Sequence, residues 1–152
     1  MSRPTPSWWQ RRKYLVNLLL LALPLYYFWQ AMNPVAQPPL DQKTLGSLTA
    51  TPVPLDDLEP YLHDGIYVKD FRVDFCEGCI SRIRQAYLVA GPAPENFPAE
   101  GDGILHGSVH ALHVHAAFPE ETRDTDRLWL MVETWDGEQL QASWPLDFLS
   151  SR

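Results

Sequence analysis

LWLMVETWDGEQLQASWPL, residues 128–146, reads as two strands joined at Asp136-Gly137, and it sets the fold class. An Asp-Gly pair between strand-like runs suits a two-residue type I′ turn, which needs positive φ at both central positions. That register pairs Trp135 with Glu138, Glu133 with Leu140, Met131 with Ala142 and Trp129 with Trp144. It makes Trp129, Met131, Leu140, Ala142 and Trp144 the core side, because side chains alternate across a strand. Upstream, ILHGSVHALHVHAAF (104–118) reads as strand, with Leu112, Val114, Ala116 and Phe118 on one face and His113 and His115 on the other. IYVKDFRVDF (66–75) is another strand, whose apolar face of Tyr67, Phe71, Val73 and Phe75 is interrupted by Lys69. CISRIRQAYLVAG (79–91) fits a short helix or a buried strand, and residues 91–103, rich in Pro and Gly, form a loop. The sum is a mainly β domain, small and sandwich-like, with at most one short helix after Cys79.

The chain before this domain has a different character. Tyr14 to Met32, YLVNLLLLALPLYYFWQAM, is nineteen residues without a charge, enough for one bilayer-spanning helix. Arg3, Arg11, Arg12 and Lys13 precede it and no acid occurs before Asp41, a bias that holds residues 1–13 in the cytoplasm. Trp8, Trp9, Tyr26, Tyr27 and Trp29 sit near its two ends, at headgroup depth. A cleaved signal peptide shares the charged start, but the exit at Gln30 to Ala36 has no small-x-small site. The expectation is an uncleaved anchor at 14–32 in a bacterial inner membrane, with everything beyond it periplasmic.

Residues 33–60 hold Pro34, Pro38, Pro39, Pro52, Pro54 and Pro60 among polar residues, which favours an extended stalk over packed structure. The folded unit is then 61–149, near the size at which a disulfide or metal commonly supplements a small core. Beyond the anchor, eight basic residues face nineteen acidic ones, a net charge of minus eleven. Such a surface repels nucleic acid. No Gly-x-Ser-x-Gly, phosphate loop or His-Glu-x-x-His occurs, and the reading is non-enzymatic.

Cys76-Glu77-Gly78-Cys79 is the one chemical motif, and three readings of it stand together. In an oxidising space the pair closes as a disulfide across a tight turn. As thiolates, Cys76 and Cys79 supply half of a tetrahedral zinc or copper site. At a helix start, the motif suits a redox dithiol. His113 and His115, two apart on one strand face, form a two-imidazole edge that complements the thiolates. His106 and His110 have the opposite parity to that pair, and His63 lies apart beside Asp64-Gly65 with no role assigned.

Cys76-x-x-Cys79-Ile80-x-x-Ile83-x-x-Ala86 resembles the metal-binding loop and first helix of heavy-metal-associated domains, in which two cysteines bind a soft cation. The resemblance covers this short stretch alone. Val73-Asp74 stand where that family has Gly-Met, and the Pro-rich loop and Trp-rich hairpin lie outside its βαββαβ plan. Together these features predict a membrane-tethered zinc or copper carrier with Cys76, Cys79, His113 and His115 as ligands, passing its ion to an inner-membrane transporter. The alternatives are an assembly subunit of a membrane complex braced by a Cys76–Cys79 disulfide, and a tethered thiol-disulfide oxidoreductase.

Overall fold

The computed structural model describes residues 8–33, 37–98, 101–108 and 111–149. It divides into two units, residues 1–35 and 36–152. The first is helix α1, Trp8–Met32, unbroken through Pro24. Its Arg12–Met32 portion is 21 residues with mean hydropathy 1.5, long and apolar enough to cross a membrane or to act as a signal sequence. Leucines on every side make it uniformly apolar rather than amphipathic. Asn33 ends it, its side-chain amide donating to the Trp29 carbonyl at 2.8 Å.

The second unit is mainly β. Its strands are β1 (Lys43–Leu45), β2 (Leu48–Pro54), β3 (Tyr61–His63), β4 (Ile66–Phe75), β5 (Ile83–Gly91), β6 (His106–Ser108), β7 (Ala111–Phe118), β8 (Arg127–Thr134) and β9 (Gln139–Pro145). They form one sheet in the order β1-β2-β4-β7-β5-β8-β9, with β3 added to β4 and β6 added to β7. The sheet curls into a near-closed barrel and not the sandwich that the strand count predicts. At the seam, side chains replace a strand ladder: Trp144 Nε1 donates to the Asp41 carbonyl at 2.6 Å, and Lys43 Nζ to the Ser143 carbonyl at 2.5 Å. Inside lie Leu45, Leu48, Phe71, Val73, Leu88, Val114, Leu128, Leu130, Val132 and Trp144, all essentially without solvent contact.

β1 and β2 fall in the segment expected to be a stalk, so the barrel begins upstream of Tyr61. Proline is accommodated by parity. The Thr49 carbonyl accepts from Cys76 N–H and Leu55 N–H donates to Asp70, so the odd residues of β2 make the bonds to β4. Pro52 and Pro54 occupy the alternate positions, where that ladder needs no donor. The expected residues 66–75 are strand throughout, and Lys69 indeed faces inward with the apolar residues. It stays only 4% exposed because its ammonium meets Asp56 Oδ1 at 2.9 Å and the Leu58 carbonyl at 2.5 Å. The ambiguous segment resolves into one 3-10 turn, Ile80–Arg82, and then β5. Among the described residues no α-helix follows Cys79, so the likeness to heavy-metal-associated domains does not extend to the fold.

The β8–β9 hairpin forms as expected but one residue out of the expected register: Leu128 pairs with Trp144, Leu130 with Ala142 and Val132 with Leu140. The cause is the turn. Gly137 has φ +82 while Asp136 does not have positive φ, and Thr134 N–H donates to the Glu138 carbonyl at 3.0 Å. Trp135, Asp136 and Gly137 therefore make a three-residue connection with glycine in the left-handed position, in place of the two-residue type I′ turn. A one-residue slip exchanges faces. Trp129 consequently points outward, its indole donating to the Gly91 carbonyl at 3.2 Å, and Trp135 stands exposed at the tip.

Candidate functional site

The alternation of β7 buries Val114, Ala116 and Phe118 and turns His113 and His115 outward, as the sequence predicts. Its neighbours then decide what these rings meet. β4 sets Asp70 opposite His115 and Arg72 opposite His113. The chain does not run straight from Ile104 to Phe118 but reverses, and β6 sets His106 directly opposite His113. On the far side of β4, Asp64 (φ +49) and Gly65 (φ +87) turn β3 back along it, which brings His63 onto the same face.

Four imidazoles thus gather on the outside of the barrel. Ring centroids are 4.0 Å apart for His106 and His113, 5.9 Å for His106 and His115, 6.4 Å for His113 and His115, and 5.7 Å for the stacked His63 and His115. His115 Nδ1 lies 2.5 Å from Asp70 Oδ1. A carboxylate only accepts, so the proton of that bond is on Nδ1 and the neutral ring keeps its lone pair on Nε2. The same holds for His106, whose Nδ1 donates to the Ile104 carbonyl at 3.1 Å. Asp70 also accepts from the Tyr61 hydroxyl at 3.2 Å. Desolvation, then the charge of Asp70 and this hydrogen bond, then the charge of Asp56, raise the Tyr61 phenol above its ordinary 10.0. A cavity of about 390 Å³ beside these groups is bordered by His63, Asp64, Asp102, Ile104, His106 and His115.

The wall that carries Ile104 is tightly fitted. Leu88 N–H donates to the Gly103 carbonyl and Leu105 N–H to the Ala86 carbonyl, both at 2.8 Å, clipping this segment to β5. Gly103 has φ +75, and a Cβ there would lie 2.5 Å from the Leu88 carbonyl oxygen. No other residue fits.

Cys76 and Cys79 come together as a disulfide, with Cα atoms 5.3 Å apart. Thr49 N–H donates to Cys76 Sγ at 3.2 Å, and Ser81 Oγ–H to the Gly78 carbonyl at 2.8 Å. The pair lies off the end of β4, four residues past Arg72, which at ~3.3 Å per residue is roughly 13 Å from the strand position facing His113. The four expected ligands therefore sit as two separate pairs. Among the described residues, no three His, Cys, Asp or Glu side chains already converge on a metal position. His110 lies outside the described residues. Sequence alone assigns no ligand role to His63, His106 or Asp70; the pairing of β3 with β4, at a turn signalled by Asp64-Gly65, and of β6 with β7 brings the two histidines to the face.

A family model described as "Uncharacterised conserved protein UCP029505" matches residues 8–147, so the match takes in the helix and the barrel together. Neither a curated protein nor a solved structure matches the chain.

Proposed function

We propose that this chain, which belongs to that family, is a non-enzymatic accessory protein tethered to a bacterial inner membrane, holding its barrel on the periplasmic side for a partner in the same membrane. The observation that carries the reading is the succession of a basic arm, an apolar helix whose nineteen residues 14–32 carry no charge, and a domain stapled by Cys76–Cys79. The basic arm favours a cytoplasmic N-terminus, and a disulfide persists in oxidising compartments. Both arguments point the barrel outward. They are independent of one another.

Of the metal-carrier and assembly forms of this reading, the assembly form needs nothing further from the cysteines. A carrier holding zinc or copper on Cys76 and Cys79 with His113 and His115 needs the disulfide reduced and the two pairs brought together. A thiol oxidoreductase form would work from the disulfide itself, but the 3-10 turn after Cys79 is too short to offer the helix dipole that activates such thiols. The test is protease accessibility in spheroplasts combined with alkaline extraction of the membranes. The barrel should be digested from outside and an intact chain should resist extraction. Protection of the barrel, or release of a shortened soluble chain, would refute the tethered arrangement.

A further inference from the structure

We propose that the outer face of β4, β6 and β7 is a divalent transition-metal site, with His106, His113 and His115 as imidazole ligands and Asp70 and the Ile104 carbonyl as the groups that orient them. It goes beyond the tethered-accessory reading, because it requires neither the anchor nor the cysteines.

The tautomers are the first argument. Metal-binding histidines characteristically donate the far ring N–H to a carboxylate or a backbone carbonyl, which fixes ring orientation and leaves the other nitrogen free to ligate. His115 has the carboxylate and His106 the carbonyl, so both hold Nε2 ready. Spacing is the second. Three imidazoles bound tetrahedrally at about 2.0–2.1 Å put their ring centroids roughly 5 Å apart. The 4.0, 5.9 and 6.4 Å separations of His106, His113 and His115 bracket that value. Bringing the three rings onto one ion requires side-chain rotation, which the exposure of His106, His113 and His115 permits.

Charge and chemistry are consistent with this. Asp64 and Asp102 border the adjoining cavity, the domain is strongly acidic, and Arg72, the cation opposite His113, is already paired with Asp74 at 2.8 Å, so the net field favours a cation. An all-imidazole set selects Zn²⁺, Cu²⁺ or Ni²⁺ over Ca²⁺ and Mg²⁺, which take oxygen ligands, and over Cu⁺, which takes sulfur. Three ligands leave a fourth position for water or for a partner's side chain. His63, stacked on His115 with its Nε2 3.6 Å from Asp64, flanks that opening.

Zn²⁺ titration of the full chain in mild detergent, followed by calorimetry and by X-ray absorption at the zinc edge, tests this. Wild type should bind about one Zn²⁺ per chain in a first shell of nitrogen and oxygen without sulfur. The His106→Gln/His115→Gln double variant, with unchanged near-ultraviolet circular dichroism, should lose that binding. Asp70→Asn should weaken it about 10-fold or more while leaving the ligands in place. Cys76→Ser/Cys79→Ser should bind as wild type does. Absence of binding by wild type, equal binding by the folded double histidine variant, or sulfur in the first shell would overturn the proposal. The topology experiment above is unaffected by any of these outcomes.

Discussion

Gly103 and Gly78 have almost the same positive φ, +75 and +73, but different surroundings, and alanine at each should separate strain from packing. Moving a residue with a Cβ into the left-handed region costs roughly 1–2 kcal/mol. Gly78→Ala should lose about that much, since no atom lies within 4 Å of the added Cβ. At Gly103 the new carbon would lie 2.5 Å from the Leu88 carbonyl oxygen and 2.9 Å from Val89 Cγ1. The oxygen belongs to a strand held on its other side by β8, so it cannot yield cheaply. Relief comes from displacing residues 101–105, which breaks the 2.8 Å bonds to Leu88 and Ala86 at about 1 kcal/mol each. Gly103→Ala should therefore lose roughly 3–4 kcal/mol, about 2 more than Gly78→Ala. Urea unfolding of the full chain in non-ionic detergent reads the difference as a midpoint about 1 M lower, for a slope near 2 kcal/mol/M. Equal losses at the two positions would refute the packing of this segment against β5, and with it the wall that orients His106.

Three further outcomes follow from the same structure. Cys76→Ser/Cys79→Ser should cost only about 2 kcal/mol in urea unfolding, because a loop closed by a sequence separation of three restricts the unfolded chain little. Asp56→Ala should cost about 2 kcal/mol or more, whereas Lys69→Met should be nearly neutral: the Lys69 side chain is 4% exposed and loses its counter-charge in the first variant, while Asp56, at 37%, is rehydrated in the second. In an ultraviolet difference titration against Tyr61→Phe, Tyr61 should ionise above pH 10, and Asp70→Asn should bring it down. Because the folded value is raised, the stability from the Tyr61–Asp70 bond is complete below the unfolded value and lost as pH climbs through the folded one, so its decline belongs to the alkaline side of pH 10.

Some of this architecture is plain in the residues. The uncharged run before Met32 needs only length and composition, and the strands around Phe71 and Val114 announce themselves by period-two alternation. The Asp136-Gly137 hairpin was located correctly, yet its register turned on whether the loop held two residues or three. That single residue decided whether Trp129 or Leu128 faced the core. Asp64-Gly65, the same dipeptide, does make the two-residue turn with positive φ at both positions. Reading it as a hairpin would have placed His63 on the β4 face. Likewise Leu45-Gly46-Ser47-Leu48 carries a two-residue turn signal that the surrounding prolines obscured, and Pro52 and Pro54 are harmless because of their parity. The histidine face was half legible. His113 and His115 follow from alternation within one strand, but His106 and Asp70 join them only through pairing with other strands, which no local pattern encodes.

The most direct test of the tethered, outward-facing account is a count of free thiols on the chain in its native membranes, acid-quenched at once and labelled with a maleimide before and after reduction. With the two cysteines paired as Cys76–Cys79, the account predicts no label before reduction and two afterwards. Two labelled thiols before reduction would contradict it, placing the barrel in a reducing compartment and returning Cys76 and Cys79 to the pool of available metal ligands.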